Sequence, residues 1–266
     1  MSFAIRHLLA MVDIWSRRDE PQTGDLRQAL HTASMLEHDA SSPTHLRAIA
    51  WHLAVETHNA VGWDMPPDLN LASCRAAAAS LSHSASLLIA EIAEEVRGVA
   101  SPVLLLGTLS ASRSVFGRWD LLPAAGALLV SLDPNEEGLP DAPGLGAGHG
   151  IHWASPGRAR RVYEKHAFPA TLNGDQVLVP DTEFVAACSA SRGLALEDPE
   201  TLIFCGAALA AADDGTWSEV TRIAKALGHS DSPTEVAVEL GIDQRLGLEI
   251  GKAQRSMLAL RRFIRR

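Results

Sequence analysis

The residues best suited to chemistry lie between Gly107 and His152. The segment Gly107-Thr108-Leu109-Ser110 places a glycine before two hydroxyl side chains and is predicted to open a short helix. The first N–H groups of a helix have no partners within it, so with the two hydroxyls they form a cradle suited to an anion. The alternative interpretation is a tight turn with an ordinary helix cap.

Charged side chains follow this predicted helix at Arg113, Arg118 and Asp120. We expect them to lie near the same cleft as the Gly107 turn. Together with Gly107, Thr108 and Ser110, they form the predicted ligand-binding set. The alternative is that the charged residues belong to a solvent-exposed loop.

His152 is the predicted catalytic residue. It follows Gly150 by two positions in an apolar run, and residues two apart on a strand face the same side. A neutral imidazole exchanges protons near physiological pH, which suits acid–base chemistry. Trp153 would point to the opposite side and is predicted to belong to the core.

Three short apolar runs would position these residues. They span 102–107, 126–132 and 150–153, are rich in Val, Leu or Ile, and are bounded by Gly, Pro, Asp or Ser. Such runs are typical of strands in a small buried sheet. The alternative is that they are buried helix segments of an all-helical interaction module.

Most of the remaining sequence has the apolar spacing of helices. Start signals such as Ser42-Pro43 and Asp181-Thr182-Glu183 and stop signals at Gly193, Gly228 and Gly241 bound several of them. The predicted helices span 2–18, 25–37, 43–61, 70–97, 181–192, 199–212, 216–227, 232–240 and 245–265.

The three apolar runs resemble the core of the nucleotidyltransferase fold, in particular a bacterial family of uncharacterised nucleotidyltransferases. In that family an apolar strand ends in Leu-Leu-Lys-Gly, a short helix follows, and then come an Asp-Ile-Asp-Leu-Leu-Val strand and an acidic-Leu-His-Trp strand. The corresponding segments here are 104–107, 125–130 and 150–153.

The resemblance covers roughly residues 68 to 241 and implies an α/β (α+β) fold. A small mixed sheet of the nucleotidyltransferase type would form a core at 99–180. An N-terminal helical region at 1–98 and a C-terminal helical region at 181–266 would flank it.

Four positions depart from the family pattern. Leu106 stands at the lysine, Ala125 and Ala127 at the two aspartates, and Gly150 at the third acid. Alanine and glycine offer no oxygen ligand to Mg²⁺. We therefore expect no metal and no ordinary nucleotidyl transfer.

The sequence leaves several functions open. The first is a nucleotidyltransferase-like protein without the parent activity, kept as a binding or accessory protein. The second is a repurposed, metal-independent biosynthetic enzyme that uses the former nucleotide cleft and His152. A third keeps nucleotide transfer, with Asp120, Asp133 or Glu136 as relocated ligands, although loop carboxylates rarely reproduce the geometry of strand-held ones.

Composition restricts the partners. The 266-residue chain has 23 basic and 32 acidic side chains and a formal net charge of −9. Such a charge disfavours polyanions, so we expect no nucleic-acid partner. A small molecule or another protein is the expected partner, with no cofactor and no membrane.

Cysteine usage and the N-terminus favour a cytoplasmic protein. Cys74, Cys188 and Cys205 are far apart and fit no metal spacing, and an odd number of cysteines favours a reducing compartment. Arg6 and Asp13 interrupt the apolar N-terminus, which predicts an amphipathic helix and not a signal peptide. We expect no segment long and uncharged enough to span a bilayer.

Five histidines fall within the predicted N-terminal helices: His31, His38, His45, His52 and His58. Their spacing lacks an i, i+4 pair backed by a carboxylate, so it does not indicate a metal site. We predict that they are solvated or that they cap helix ends.

Overall fold

The computed structural model describes residues 10–11, 13–15, 20–62, 70–133, 138–142, 149–196, 208–209, 214–228, 232–244, 246, 248–253 and 256–257. The predicted helices at 2–18, 199–212 and 245–265 lie largely outside these residues. Glu136 and Cys205 also lie outside them.

Three helices form the N-terminal part: α1 (Thr23–His38), α2 (Thr44–Val61) and α3 (Ala72–Val96). All three agree with the predicted helices. The start of α2 differs by one residue, because Pro43 is the N-cap and not the first helical residue. Gly62 ends α2 in the left-handed conformation, and its N–H donates to the His58 carbonyl at 3.0 Å.

A five-stranded sheet follows, in the order β3-β2-β1-β5-β4. Its strands are β1 (Val103–Leu106), β2 (Gly126–Ser131), β3 (Gly150–Ala154), β4 (Ala167–Leu172) and β5 (Asp175–Pro180). The three predicted strands are confirmed, so the all-helical alternative is wrong. The sheet is mixed: β1 runs antiparallel to β2 and parallel to β5, β2 and β3 are parallel, and β4 and β5 are antiparallel.

Two short helices interrupt the strands. Helix α4 (Thr108–Phe116) connects β1 to β2, and α5 (Arg160–Lys165) precedes β4. The β4–β5 hairpin turns at Asn173-Gly174, where φ is +49° and +92°. Two consecutive positive φ angles match the twist of a tight hairpin, and Asn-Gly is the preferred pair for it.

Both faces of strands β1 and β2 are buried. On one face α3 packs on alternate strand residues, with a core of Leu88, Ile92, Val103, Leu105, Ala127, Leu129, Val177 and Val179. On the other face Leu104, Leu106, Leu128 and Val130 join the larger core cluster. Burial of both faces explains why these strands are continuous apolar runs without polar alternation.

The C-terminal helices are α6 (Thr182–Leu196), α7 (Asp214–Ala226) and α8 (Ser232–Leu240). The Asp181 carboxylate caps α6 by accepting the Phe184 N–H at 2.8 Å. Gly228 and Gly241 adopt positive φ just beyond α7 and α8, as predicted. The predicted stop at Gly193 is wrong, because α6 continues through it to Leu196.

Helix α3 is the one described helix long and apolar enough, by length and composition, to cross a membrane. The expectation that no segment reaches this limit is therefore wrong for α3. Core helices of soluble proteins can be equally long and apolar, and one side of α3 packs on the sheet and on α2. The structure is thus compatible with a soluble protein.

The larger core cluster draws residues from all three predicted regions, including Leu46, Leu104 and Phe184. These regions therefore share one hydrophobic core among the described residues. The division at 98 and 180 stays a prediction.

Candidate functional site

An open groove lies between α3 and the loop that connects α4 to β2. Its volume is about 320 Å³. Helix α3 and the loop line it with Ser82, Ala85, Ser86, Ile89, Arg118, Trp119 and Asp120. Two of the predicted ligand-binding residues, Arg118 and Asp120, therefore lie on one groove.

Hydrogen bonds from α4 fix the loop that carries these residues. The Ser112 hydroxyl donates to the Arg118 carbonyl at 2.7 Å and accepts the Leu121 N–H at 3.0 Å. The Thr108 hydroxyl donates to the Pro123 carbonyl. Gly117 ends α4 in the left-handed conformation and starts the loop.

Arg118 and Asp120 form a two-point ion pair at the groove. Nε of Arg118 lies 3.0 Å from Oδ1 of Asp120, and Nη2 lies 3.2 Å from Oδ2. Nη1 of the same guanidinium lies 3.3 Å from Oε1 of Glu56 on α2. This ion pair links the α4–β2 loop to the N-terminal helices.

The pair keeps both partners charged. Burial would raise the pKa of Asp120, but hydrogen bonds and charge from Arg118 outweigh burial and hold that pKa below its usual value. Burial would lower the pKa of Arg118, but Asp120 and then Glu56 raise it above its usual value. The neighbouring Ser82 side chain lowers the pKa of Asp120 further.

His52 on α2 lies within electrostatic range of this pair. Its Nε2 is buried and has no hydrogen-bond partner. Burial and then the charge of Arg118 lower its pKa to about 4, against the opposing effect of Asp120. The prediction that His52 is solvated or caps a helix is wrong, and His45 is buried and not solvated.

The hydroxyls of the Gly107 turn donate hydrogen bonds to backbone carbonyls of the protein itself. Ser110 is fully buried and its hydroxyl donates to the Gly107 carbonyl at 3.1 Å, while Thr108 holds the following loop. Arg113 on α4 donates to the Gly117 carbonyl and does not line the groove. Gly107, Thr108, Ser110 and Arg113 therefore do not line the groove with Arg118 and Asp120, and their ligand-binding role stays a prediction.

His152 is exposed on the edge strand β3, with Nε2 2.9 Å from the His149 carbonyl oxygen. Register pairs it with Leu128, whereas Ile151 pairs with Ala127. Paired residues share a face of the sheet and consecutive residues alternate. His152 and Ala127 therefore face opposite sides, and the expectation that His152 faces the former metal positions is wrong for Ala127.

Trp153 lies on the opposite face from His152, as predicted. It is partly buried against the cluster beneath α3. Its indole N–H donates to Oε2 of Glu95 at 3.2 Å.

Of the carboxylates considered as relocated metal ligands, Asp120 and Asp133 lie within the described residues. Asp120 is occupied by Arg118, and Glu136 is outside the described residues. Within the described part of the chain, no group of three or more His, Cys, Asp or Glu side chains is placed to hold a metal ion.

A second polar cluster, which the sequence analysis did not predict, surrounds His166. Nδ1 of this buried histidine lies 2.7 Å from Oδ2 of Asp181, and Nε2 lies 3.0 Å from Oε1 of Glu219. Hydrogen bonds from Arg222 and Lys165 lower the pKa of Glu219 to about 2. The cluster joins the start of β4 to the N-terminus of α6 and to α7.

No local sequence motif predicts this cluster, because Asp181 and Glu219 lie 15 and 53 residues from His166 in the sequence. No family model, curated protein or solved structure matches the chain, so similarity to known proteins identifies neither site.

Proposed function

We propose that this protein is a nucleotidyltransferase-like protein that does not transfer nucleotides and acts as a binding or accessory protein. The groove between α3 and the α4–β2 loop would hold its small ligand. The order β1, α4, β2, β3 supports the fold part of the proposal, since it follows the strand and helix order of the family.

One observation carries the binding role. The groove combines apolar surface from Ala85, Ile89 and Trp119 with a fixed ion pair, Arg118 and Asp120. Small-molecule sites are concave, largely apolar and equipped with a few placed polar groups. The groove has this composition.

The side chains at two of the family's catalytic positions support the absence of nucleotide transfer. Ala127 stands at one of the family's aspartates and is fully buried, and Leu106, at the lysine position, is buried as well. Neither side chain can bind Mg²⁺ or a phosphate. Incubation with labelled nucleoside triphosphates, Mg²⁺ or Mn²⁺ and a panel of acceptors tests this part, and robust metal-dependent incorporation would refute it.

Thermal-shift screening of a metabolite collection tests the binding part. Ligands of the groove should raise the melting temperature of the wild type and of Ser80→Trp, but not of Ser86→Trp. Ser86 lines the groove, whereas Ser80 is exposed elsewhere on the same helix. Hits that bind all three proteins equally would show that the groove is not the site.

The alternative is a repurposed, metal-independent biosynthetic enzyme. Its support is the exposed imidazole of His152 on β3, which solutes can reach. Turnover of a substrate that is lost in His152→Ala and kept in Ser86→Trp would favour this alternative.

A further inference from the structure

The charges around the groove restrict what it can bind. Among the described residues, Arg118 is the only cation that lines it, and this guanidinium faces two carboxylates, Asp120 and Glu56. His52 adds no positive charge at neutral pH because its pKa is lowered to about 4. The cluster therefore has one positive and two negative charges.

An anion is disfavoured at this cluster. An anionic ligand at the remaining N–H groups of Arg118 would be repelled by Asp120 and Glu56, and a two-point pair through the Nε edge of the guanidinium would require it to displace Asp120. The displaced carboxylate, half-buried in the case of Asp120, would then lose its partner, which is costly.

A cation is disfavoured for a different reason. Both oxygens of Asp120 already accept hydrogen bonds from Arg118. A cationic ligand would give up its water for a carboxylate whose charge is already matched.

An uncharged ligand with polar groups along one edge fits the hydrogen-bonding groups of Arg118 and Asp120 that remain unused. A guanidinium has five N–H donors and a carboxylate about four acceptor sites. The described hydrogen bonds use three of the donors of Arg118 and two of the acceptor sites of Asp120. One N–H on each of Nη1 and Nη2 of Arg118 and free lone pairs on the Asp120 carboxylate therefore remain at the groove, which Trp119 and Ile89 also line.

We infer that the groove selects a flat, uncharged ligand with an adjacent hydrogen-bond donor and acceptor, the chemistry of an aromatic carboxamide. The carboxamide oxygen would accept from Arg118 and its N–H would donate to Asp120, with the ring against Trp119. This inference rests on the proposed binding role of the groove and adds the class of its ligand.

Three probes with one ring and three charges test the inference: benzamide, benzoate and benzylamine. Ligand-observed NMR titrations on the full chain at pH 7.4 should give benzamide an affinity at least about tenfold above the other two. Ser86→Trp should abolish benzamide binding, and Ser80→Trp should leave it unchanged.

Equal or tighter binding of benzoate or benzylamine in the groove would overturn the ligand class and leave the binding role standing. Absence of benzamide binding, or its persistence in Ser86→Trp, would also overturn the ligand class. The metabolite screen with the same two variants tests the binding role separately.

Asp120→Asn provides a second measurement. This change keeps the shape of the side chain and removes one negative charge beside Arg118, so benzoate should gain about tenfold in affinity while benzamide gains nothing. Circular dichroism verifies that the variant folds. An unchanged ratio of benzoate to benzamide affinity would mean that the charges of the cluster do not set selectivity.

Discussion

Nε2 of His166 lies 3.0 Å from Oε1 of Glu219, and the imidazole is almost completely buried. Its other ring nitrogen faces Asp181. One histidine thus connects three parts of the chain: the start of β4, the N-terminus of α6 and helix α7. Because buried polar groups are costly when they lose a partner, this contact is a sensitive point of the fold.

His166→Ala should lower the free energy of unfolding by about 1–3 kcal/mol, since it leaves Asp181 and Glu219 without their shared partner. Urea unfolding followed by circular dichroism measures the loss. His152→Ala is the matched control and should leave stability nearly unchanged, because that imidazole is exposed on an edge strand. Equal losses in the two variants would contradict the assigned role of His166.

Arg118→Ala should destabilise the protein by about 1–3 kcal/mol, because it leaves the half-buried Asp120 unpaired and breaks the link to Glu56. Arg97→Ala is the control. Arg97 pairs with Glu94 at an exposed site, where ion pairs contribute about 0–1 kcal/mol. A smaller loss of unfolding free energy in Arg118→Ala than in Arg97→Ala would contradict the proposed contribution of the Arg118–Asp120 ion pair to stability.

The three apolar runs of the sequence predict β1, β2 and β3 but not the β4–β5 hairpin. Strands β1 and β2 are continuous apolar runs because both of their faces are buried. Strand β4 was not predicted, because it lies at the edge, contains Pro169 and alternates between exposed and buried residues. The Asn173-Gly174 pair was the available signal for its hairpin.

The candidate site was predictable only in part. Arg118 and Asp120 stand two residues apart, so the sequence shows them together. Glu56 lies 62 residues from Arg118, and only the packing of α2 against the α4–β2 loop brings them into contact. Histidine spacing likewise does not show that Nε2 of His52 is buried.

His52 should make stability depend on pH. Its pKa is lowered from 6.5 to about 4 in the folded protein, mainly by burial. The unfolded chain therefore binds the proton more readily, so stability falls as pH decreases from about 6.5 towards 4. Urea midpoints at pH 7.5 and pH 5 should differ more for the wild type than for His52→Gln. An equal difference in both proteins would exclude His52 as a source of the pH dependence.

Cys74 should be chemically inert in the native protein. Burial raises the pKa of this thiol to about 12, and the neighbouring Glu37 carboxylate adds to the effect. Since the thiolate is the reactive form, iodoacetamide at pH 8 should leave Cys74 unmodified, as measured by peptide mass spectrometry.

Two conditions show what protects this thiol. In denaturing urea the same reagent should modify Cys74 fully, since the thiol then loses its burial. In Glu37→Gln the reaction of the folded protein should stay slow, because burial is the larger cause of the raised pKa. The amide oxygen of the variant can accept only one of the two N–H groups, those of Ser73 and Cys74, that the carboxylate accepts at 2.8 and 2.9 Å, so circular dichroism verifies that the variant folds. Rapid modification of native wild-type Cys74 would show that the start of α3 opens readily to solvent.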